Sequence, residues 1–258
     1  MPIAAITFDL WGTVLWPRDP EGKFERRMAL LLDVVRAAGV PCTREVLAAA
    51  WHETFREADA LIRERLEDIG PPGRWQMLAR RLGLPDGAVP YEVVEAIYQD
   101  LTLEFPPPPM PGIHAALDRL AGRYRIGLIC NTGVTGGRVL RQVLADHGLL
   151  GYFDTTVFSN EFGRVKPDPS IFRHTLDQLG GVAPNRALHL GDLEELDVDG
   201  ALATGMYAFR YVYPELQELP VASRAHRVLH DWAELPAALR ALEDGALAER
   251  DLGAVTHL

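Results

Sequence analysis

Short apolar runs bounded by turn residues recur along the chain and alternate with longer stretches of helical periodicity. Six of these runs have the character of strands, at residues 3–8, 125–130, 155–159, 187–190, 207–212 and 227–229. Strands separated by helical stretches are typical of a parallel sheet covered by helices. The pattern therefore predicts an α/β fold with a doubly wound parallel sheet.

The segment between the first two predicted strands contains no strand-like run, and its apolar residues are spaced as in helices, for example over residues 24–35. Three stretches rich in Gly and Pro interrupt it, at residues 70–73, 84–87 and 106–112. Neither residue favours the interior of a helix, and the four consecutive prolines of the last stretch hold an extended conformation that forms a stiff hinge. We predict an all-helical cap over residues 16–106, inserted into a core formed by residues 1–15 and 107–258.

Composition narrows the class of protein. The chain has 258 residues, 48% of them hydrophobic, a net charge of −10 and only two cysteines. This acidity argues against a general nucleic-acid or anionic-membrane surface, and two cysteines are too few for a disulfide framework. No apolar stretch is long enough to span a membrane, and no secretory leader is evident. We expect a cytoplasmic monomer or homodimer.

Polar residues follow the first predicted strand at Asp9-Leu10-Trp11-Gly12-Thr13. In parallel α/β sheets ligands bind outside the carboxyl ends of the strands, so Asp9 stands where a functional side chain is expected. Gly12 allows a tight turn that brings backbone amides close to an anion. An Asp at this position could equally cap a turn, because Asp is common there.

Three further polar segments follow later strands. The second predicted strand ends at Cys130-Asn131-Thr132, the third is followed by a block that ends in Lys166-Pro167, and the fourth by Gly191-Asp192 with Asp197 five positions on. Carboxylate oxygens suit Mg²⁺, and a lysine ammonium can neutralise repulsion between a carboxylate and an anionic substrate. These residue types are therefore compatible with anion chemistry.

Taken in chain order, the four segments resemble motifs I to IV of the haloacid dehalogenase (HAD) superfamily of hydrolases. The resemblance implies a Rossmann-like core in which Asp9 is the catalytic nucleophile and Lys166 the charge-neutralising partner. It further implies binding of the substrate's phosphate by a set of side chains around the strand ends: Trp11, Thr13, Cys130, Asn131, Thr132 and Lys166. The implied cofactor is Mg²⁺, held by Asp9, Asp192, Asp197 and the backbone carbonyl of Trp11.

Two positions depart from the usual motifs. Motif I is normally Asp-x-Asp-Gly-Thr, whose second Asp is the general acid/base, and here Trp11 replaces it. Cys130 stands where motif II has a Ser or Thr hydroxyl, and a thiol is a weaker donor. A positioned acid/base contributes about 10²- to 10⁴-fold to a rate, so phosphate-ester hydrolysis should be slow unless the leaving group is good.

Three functions are compatible with these departures. We favour a Mg²⁺-dependent phosphatase acting on a small anionic metabolite, because Gly191-Asp192 is retained. The alternative is a 2-haloacid dehalogenase, since such enzymes resemble this chain in carrying an aromatic residue at the Trp11 position, although they lack the Gly-Asp metal site. A catalytically weak binding protein is the third interpretation, because fold does not fix function.

The cap carries no motif that identifies the substrate. Four arginines are candidates for binding a haloacid carboxylate: Arg18, Arg56, Arg63 and Arg65. Four aromatic residues could line a pocket, although helical spacing favours a place in the core: Trp16, Trp51, Trp75 and Tyr98.

Overall fold

A parallel six-stranded sheet forms the centre of the molecule, in strand order β3-β2-β1-β4-β5-β6. The computed structural model describes residues 2–17, 21–216 and 222–247, so Arg18 and the end of the chain lie outside the described residues. The strands are β1 (Ala5–Phe8), β2 (Arg125–Cys130), β3 (Thr155–Phe158), β4 (Ala187–Gly191), β5 (Tyr207–Tyr211) and β6 (Arg227–Leu229). This architecture confirms the predicted α/β class.

Helices cover both faces of the sheet. In β1 the side chains of Ile6 and Phe8 enter one apolar cluster and that of Ala5 enters another, as the alternation of a strand requires. The core helices are α6 (Ile113–Leu120), α7 (Gly137–Asp146), α8 (Ser159–Phe162), α9 (Pro169–Gln178), α10 (Asp199–Thr204) and α11 (Leu235–Glu243). With every β1 residue buried, this central strand is a fixed platform for the residue that follows it.

The chain between β1 and β2 contains only helices among its named elements. Before α6 they are α1 (Lys23–Ala37), α2 (Arg44–Arg65), α3 (Gly70–Arg81), α4 (Tyr91–Tyr98) and α5 (Leu101–Glu104). Trp51, Trp75 and Tyr98 are buried in an apolar cluster of their own, separate from those of the sheet. These three aromatic residues therefore belong to the cap's core, whereas Trp16 packs against the sheet's cluster.

Two details differ from the sequence-based expectation. The Gly-Pro stretch at residues 70–73 forms the first turn of α3 instead of separating two helices, because proline is tolerated where no intrahelical N–H bond is made. Ser159 begins α8 and does not end the third strand.

The two connections between cap and core run side by side. The amide of Trp16 donates to the carbonyl of Pro108 over 2.9 Å, and the amide of Met110 donates to the carbonyl of Val14 over 2.9 Å. These bonds join the chain segments on either side of the predicted cap, whose exact boundaries stay a prediction. Within the described ranges, no helix combines the length and apolar character needed to cross a membrane.

Candidate active site

Asp9 and Asp192 meet where the strand order reverses. Asp9 follows β1 and Asp192 follows the neighbouring strand β4, and the amide of Asp9 donates to the carbonyl of Leu190 over 2.8 Å. Gly12 has φ of +75°, and a Cβ there would lie only 2.5 Å from Oδ2 of Asp192. The glycine thus permits the turn after β1 to pack directly against Asp192.

Lys166 links two of the acidic residues. Its buried ammonium donates to Oδ1 of Asp9 and, over 2.6 Å, to Oδ1 of Asp197. The side-chain amide of Asn131 fixes the Lys166 backbone, because Nδ2 donates to the Lys166 carbonyl over 3.0 Å and Oδ1 accepts from the Lys166 amide over 2.8 Å. Asn131 therefore positions the lysine.

Asp197 is the centre of a buried polar network. Besides Lys166, His189 Nε2 lies 3.1 Å from Asp197 Oδ1, and the Leu193 amide donates to Oδ2 over 3.0 Å. The other ring nitrogen of His189 lies 2.8 Å from the hydroxyl of Thr7. The sequence favoured His189 as a packed strand residue; it is indeed buried in β4, but it also holds Asp197.

The three carboxylates differ in the direction in which the site shifts their pKa values. Burial raises the pKa of Asp9 to about 7, although the Lys166 ammonium opposes the rise. Burial and repulsion from Asp9 and Asp197 raise the pKa of Asp192 to about 8. Burial acts in the same sense on Asp197, but Lys166 and His189 outweigh it and lower its pKa. Asp197 is thus the stable counter-ion of Lys166.

The three carboxylates also form a cluster that fits a divalent cation. Asp9, Asp192 and Asp197 each offer one oxygen, and these oxygens lie within 4.8 Å of one another. Hard oxygen donors are what Mg²⁺ requires. Burial first and neighbouring carboxylates second raise the pKa values of Asp9 and Asp192, and a bound cation would favour their charged forms.

Three of the residues predicted to bind phosphate differ in their surroundings. Thr13 and Cys130 are completely buried, and the Thr13 hydroxyl has no hydrogen-bond partner among the described residues. The Thr132 hydroxyl donates to Asp68 over 2.9 Å and lies 3.1 Å from the Ser159 hydroxyl. Phosphate binding by these side chains stays a prediction, and the Thr132 hydroxyl is engaged by the cap residue Asp68.

A cavity of about 600 Å³ lies between the cap and these strand ends. From the core, its lining includes Trp11, Asn131, Thr132 and Lys166. From the cap, it includes Lys23, Arg27, Asp59, Arg63 and Arg74. Of the described arginines that the sequence proposed for the cap, only Arg63 lines the cavity. The sequence missed Lys23, Arg27 and Arg74 because they lie on helices whose packing no motif reveals.

A family model described as haloacid dehalogenase-like hydrolase matches residues 3–205. Since this match covers most of the chain, the protein belongs to the haloacid dehalogenase-like hydrolases, as its four motifs predicted. It is therefore a hydrolase with a Rossmann-like α/β core.

Similar proteins include a nucleotidase and a phosphatase. The chain is 33% identical over 135 residues to the pyrimidine 5'-nucleotidase YjjG of Escherichia coli (strain K12), a match that covers 52% of this chain and 56% of that protein. It is 34% identical over 160 residues to the phosphoserine phosphatase of Thermus thermophilus, covering 62% and 55% of the two chains. The chain thus spans about half the length of these relatives.

A solved structure of similar fold is the 2-haloacid dehalogenase of Pseudomonas syringae pv. Tomato DC3000. It superimposes with a TM-score of 0.64 at 24% sequence identity, covering 93% of this chain and 99% of the other. At this identity the likeness establishes the fold and not the reaction.

Proposed function

We propose that the protein is a phosphatase that uses Asp9 as its nucleophile, depends on Mg²⁺ and acts on a small phosphorylated metabolite. The observation that carries the proposal is the contact of the Lys166 ammonium with Asp9, beside the carboxylates of Asp192 and Asp197. The ammonium can lower the repulsion between the Asp9 carboxylate and a phosphate dianion. The phosphatase relatives support this interpretation.

The chemistry proceeds in two steps. A carboxylate oxygen of Asp9 attacks phosphorus and forms a bond to it. The bond from phosphorus to the ester oxygen breaks, and the electron pair leaves on an alkoxide that takes a proton from solvent. Water then attacks phosphorus and loses a proton to solvent, while the bond from phosphorus to the Asp9 oxygen breaks, which releases phosphate and regenerates the Asp9 carboxylate. Lys166 favours the charged form of Asp9, because its ammonium opposes the rise in pKa that burial causes.

Asp9, Asp192 and Asp197 would hold Mg²⁺, and the ion would neutralise charge on the transferring phosphoryl group when bound. Asp197 also serves as the counter-ion of Lys166, so we expect Asp192 to be the carboxylate most dedicated to the metal.

Trp11 determines which substrates turn over well. Its side chain lines the cavity at the position where the family has its general acid, and an indole cannot donate a proton to a leaving alkoxide at neutral pH. We therefore expect rates to depend steeply on the acidity of the leaving alcohol. Trp11 is also the observation that favours the second candidate, dehalogenation, because a halide leaves without protonation.

Steady-state assays with p-nitrophenyl phosphate and with 2-chloropropionate distinguish the two candidates. A phosphatase releases phosphate only with Mg²⁺ and loses this activity in Asp9→Asn, which also controls for contaminating phosphatases. Chloride release without Mg²⁺, and no phosphate release above the Asp9→Asn background, would replace the phosphatase by a dehalogenase.

A further inference from the structure

The cap side of the active-site cavity carries an excess of positive charge. Among the described residues that line it, the cap contributes one acidic residue, Asp59, and four basic ones, Lys23, Arg27, Arg63 and Arg74. From the core, Lys166 adds a positive charge and Glu195 a negative one, so positive charges outnumber negative ones in this lining. A cavity with this balance attracts anionic ligands and excludes cationic ones.

Three of these cations are buried. Lys23, Arg27 and Arg74 are between 2% and 3% exposed, so the surrounding packing restricts the positions of all three side chains. Lys23 and Arg27 come from α1 and Arg74 from α3. Two helices of the cap therefore bring these cations to the lining of one cavity.

Arg74 retains donors that the described residues do not use. Its Nη2 donates to Asp59 over 2.9 Å, while Nε and Nη1 have no hydrogen-bond partner within the described ranges. Leaving buried charged donors without acceptors costs free energy. The guanidinium is also held over the ring of Phe55 at 4.9 Å, so its position is fixed before a ligand arrives.

Arg74 and Lys166 line the same cavity from opposite domains. If the phosphoryl group of a substrate is attacked by Asp9 beside Lys166, the remainder of the substrate extends into the cavity toward the cap. A group at the far end of a small substrate then meets the buried cations of α1 and α3.

We propose that Arg74, with Arg27 and Lys23, forms a second anion-binding subsite that accepts a carboxylate or a second phosphate on the leaving-group portion of the substrate. This inference rests on the proposed phosphatase function and names its substrate class: phosphomonoesters of alcohols that carry another negative charge. The subsite sets specificity and takes no part in the bond-breaking steps.

The test compares pairs of substrates that differ only in the second anion. 3-Phosphoglycerate and glycerol 1-phosphate differ by a carboxylate in place of a hydroxymethyl group, and propane-1,3-diol bisphosphate is paired with its monophosphate. A charge-assisted interaction predicts that kcat/KM for at least one anionic member exceeds that of its partner by about 10- to 100-fold. Comparing the two pairs shows whether the subsite accepts a carboxylate or a second phosphate.

Variants of two arginines on α3 test whether the preference for the anionic substrate arises in the cavity. Arg74→Gln should reduce the preference by about tenfold or more, and Arg74→Lys should keep part of it because the charge remains. Arg81→Gln is the matched control, since Arg81 pairs with Glu53 and Glu57 on α2 and does not line the cavity. It should leave the preference unchanged.

Binding measurements separate failure of the subsite from failure of the proposed function. Calorimetric titration of the Asp9→Asn variant with the same compounds measures the preference for the anionic member of each pair without turnover. The same titration of the double variant, Asp9→Asn combined with Arg74→Gln, measures how far that preference depends on Arg74. If no phosphomonoester is hydrolysed but this dependence is found, the phosphatase proposal fails and the subsite stands. Absence of any preference in turnover and binding, or equal losses in Arg74→Gln and Arg81→Gln, would overturn the subsite.

Discussion

Gly12 and Asp192 pack so closely that a Cβ on Gly12 would lie 2.5 Å from Oδ2 of Asp192. The two residues belong to different motifs, after β1 and β4, and meet where the strand order reverses. This close approach couples the conformation of the turn after β1 to the position of the proposed metal ligand.

Gly12→Ala should therefore abolish Mg²⁺-dependent phosphate release while the protein stays folded. The added methyl group displaces the Asp192 carboxylate, and the φ of +75° adds backbone strain. Gly148→Ala is the control, because Gly148 has a similar φ of +68° and, apart from its chain neighbours, no described residue has an atom within 4 Å of a Cβ added there. Steady-state turnover and thermal denaturation of both variants are measured. Equal activities would show that the contact with Asp192 does not matter.

Replacing the aromatic residue at the acid position should change the response to the leaving group. Trp11→Asp should raise turnover of alkyl phosphates by up to about 10²-fold, while nitrophenyl phosphate, whose leaving group is already acidic, gains less. Trp11→Asn controls for the loss of the indole. A plot of log kcat against leaving-group pKa should be flatter for Trp11→Asp. Identical slopes in wild type and both variants would show that position 11 is not that of the general acid.

The stability of the metal-free protein should depend on pH through Asp192. Its pKa is 3.8 in the unfolded chain and about 8 in the folded protein, so this carboxyl favours folding less and less as the pH rises through that interval. Asp192→Asn removes the effect. In EDTA, the Tm of Asp192→Asn relative to wild type should be higher at pH 8 than at pH 5, and Mg²⁺ should reduce the difference by stabilising wild type. A difference in Tm that does not vary with pH would contradict the assigned environment.

The two cysteines should differ in reactivity. Cys130 is completely buried at the end of β2, where burial raises the pKa of its thiol, whereas Cys42 is partly exposed. Because the thiolate is the reactive form, a disulfide reagent at mildly alkaline pH should label only Cys42 in the native protein and both thiols after unfolding. Cys42→Ser should then show no native labelling. Rapid labelling of Cys130 would indicate an accessible thiol at this strand end.

Much of this site is predictable from the sequence because it is built at strand ends. Asp9, Asp192 and Lys166 stand in short polar segments after apolar runs, and parallel strands bring their carboxyl ends to one edge. The role of His189 is hidden, since a histidine inside an apolar strand looks like a packed residue until its partner Asp197 is placed against it.

The cap side of the site was not predictable in the same way. Asp68 contacts Thr132 across 64 positions of sequence, and Arg74 reaches the cavity only because α3 packs against α2. Charged residues on helices are usually solvated, so nothing in their local pattern distinguishes Arg74, which is buried, from Arg81, which pairs with acidic residues at the surface.

The central claim is that Asp9 forms a covalent bond to phosphorus. Acid quenching during turnover of a ³²P-labelled phosphomonoester with Mg²⁺, followed by proteolysis and mass spectrometry, measures this directly. We predict a phosphoryl group on the peptide that contains Asp9, absent in Asp9→Asn. Sustained phosphate release with an unlabelled Asp9 peptide would contradict the account.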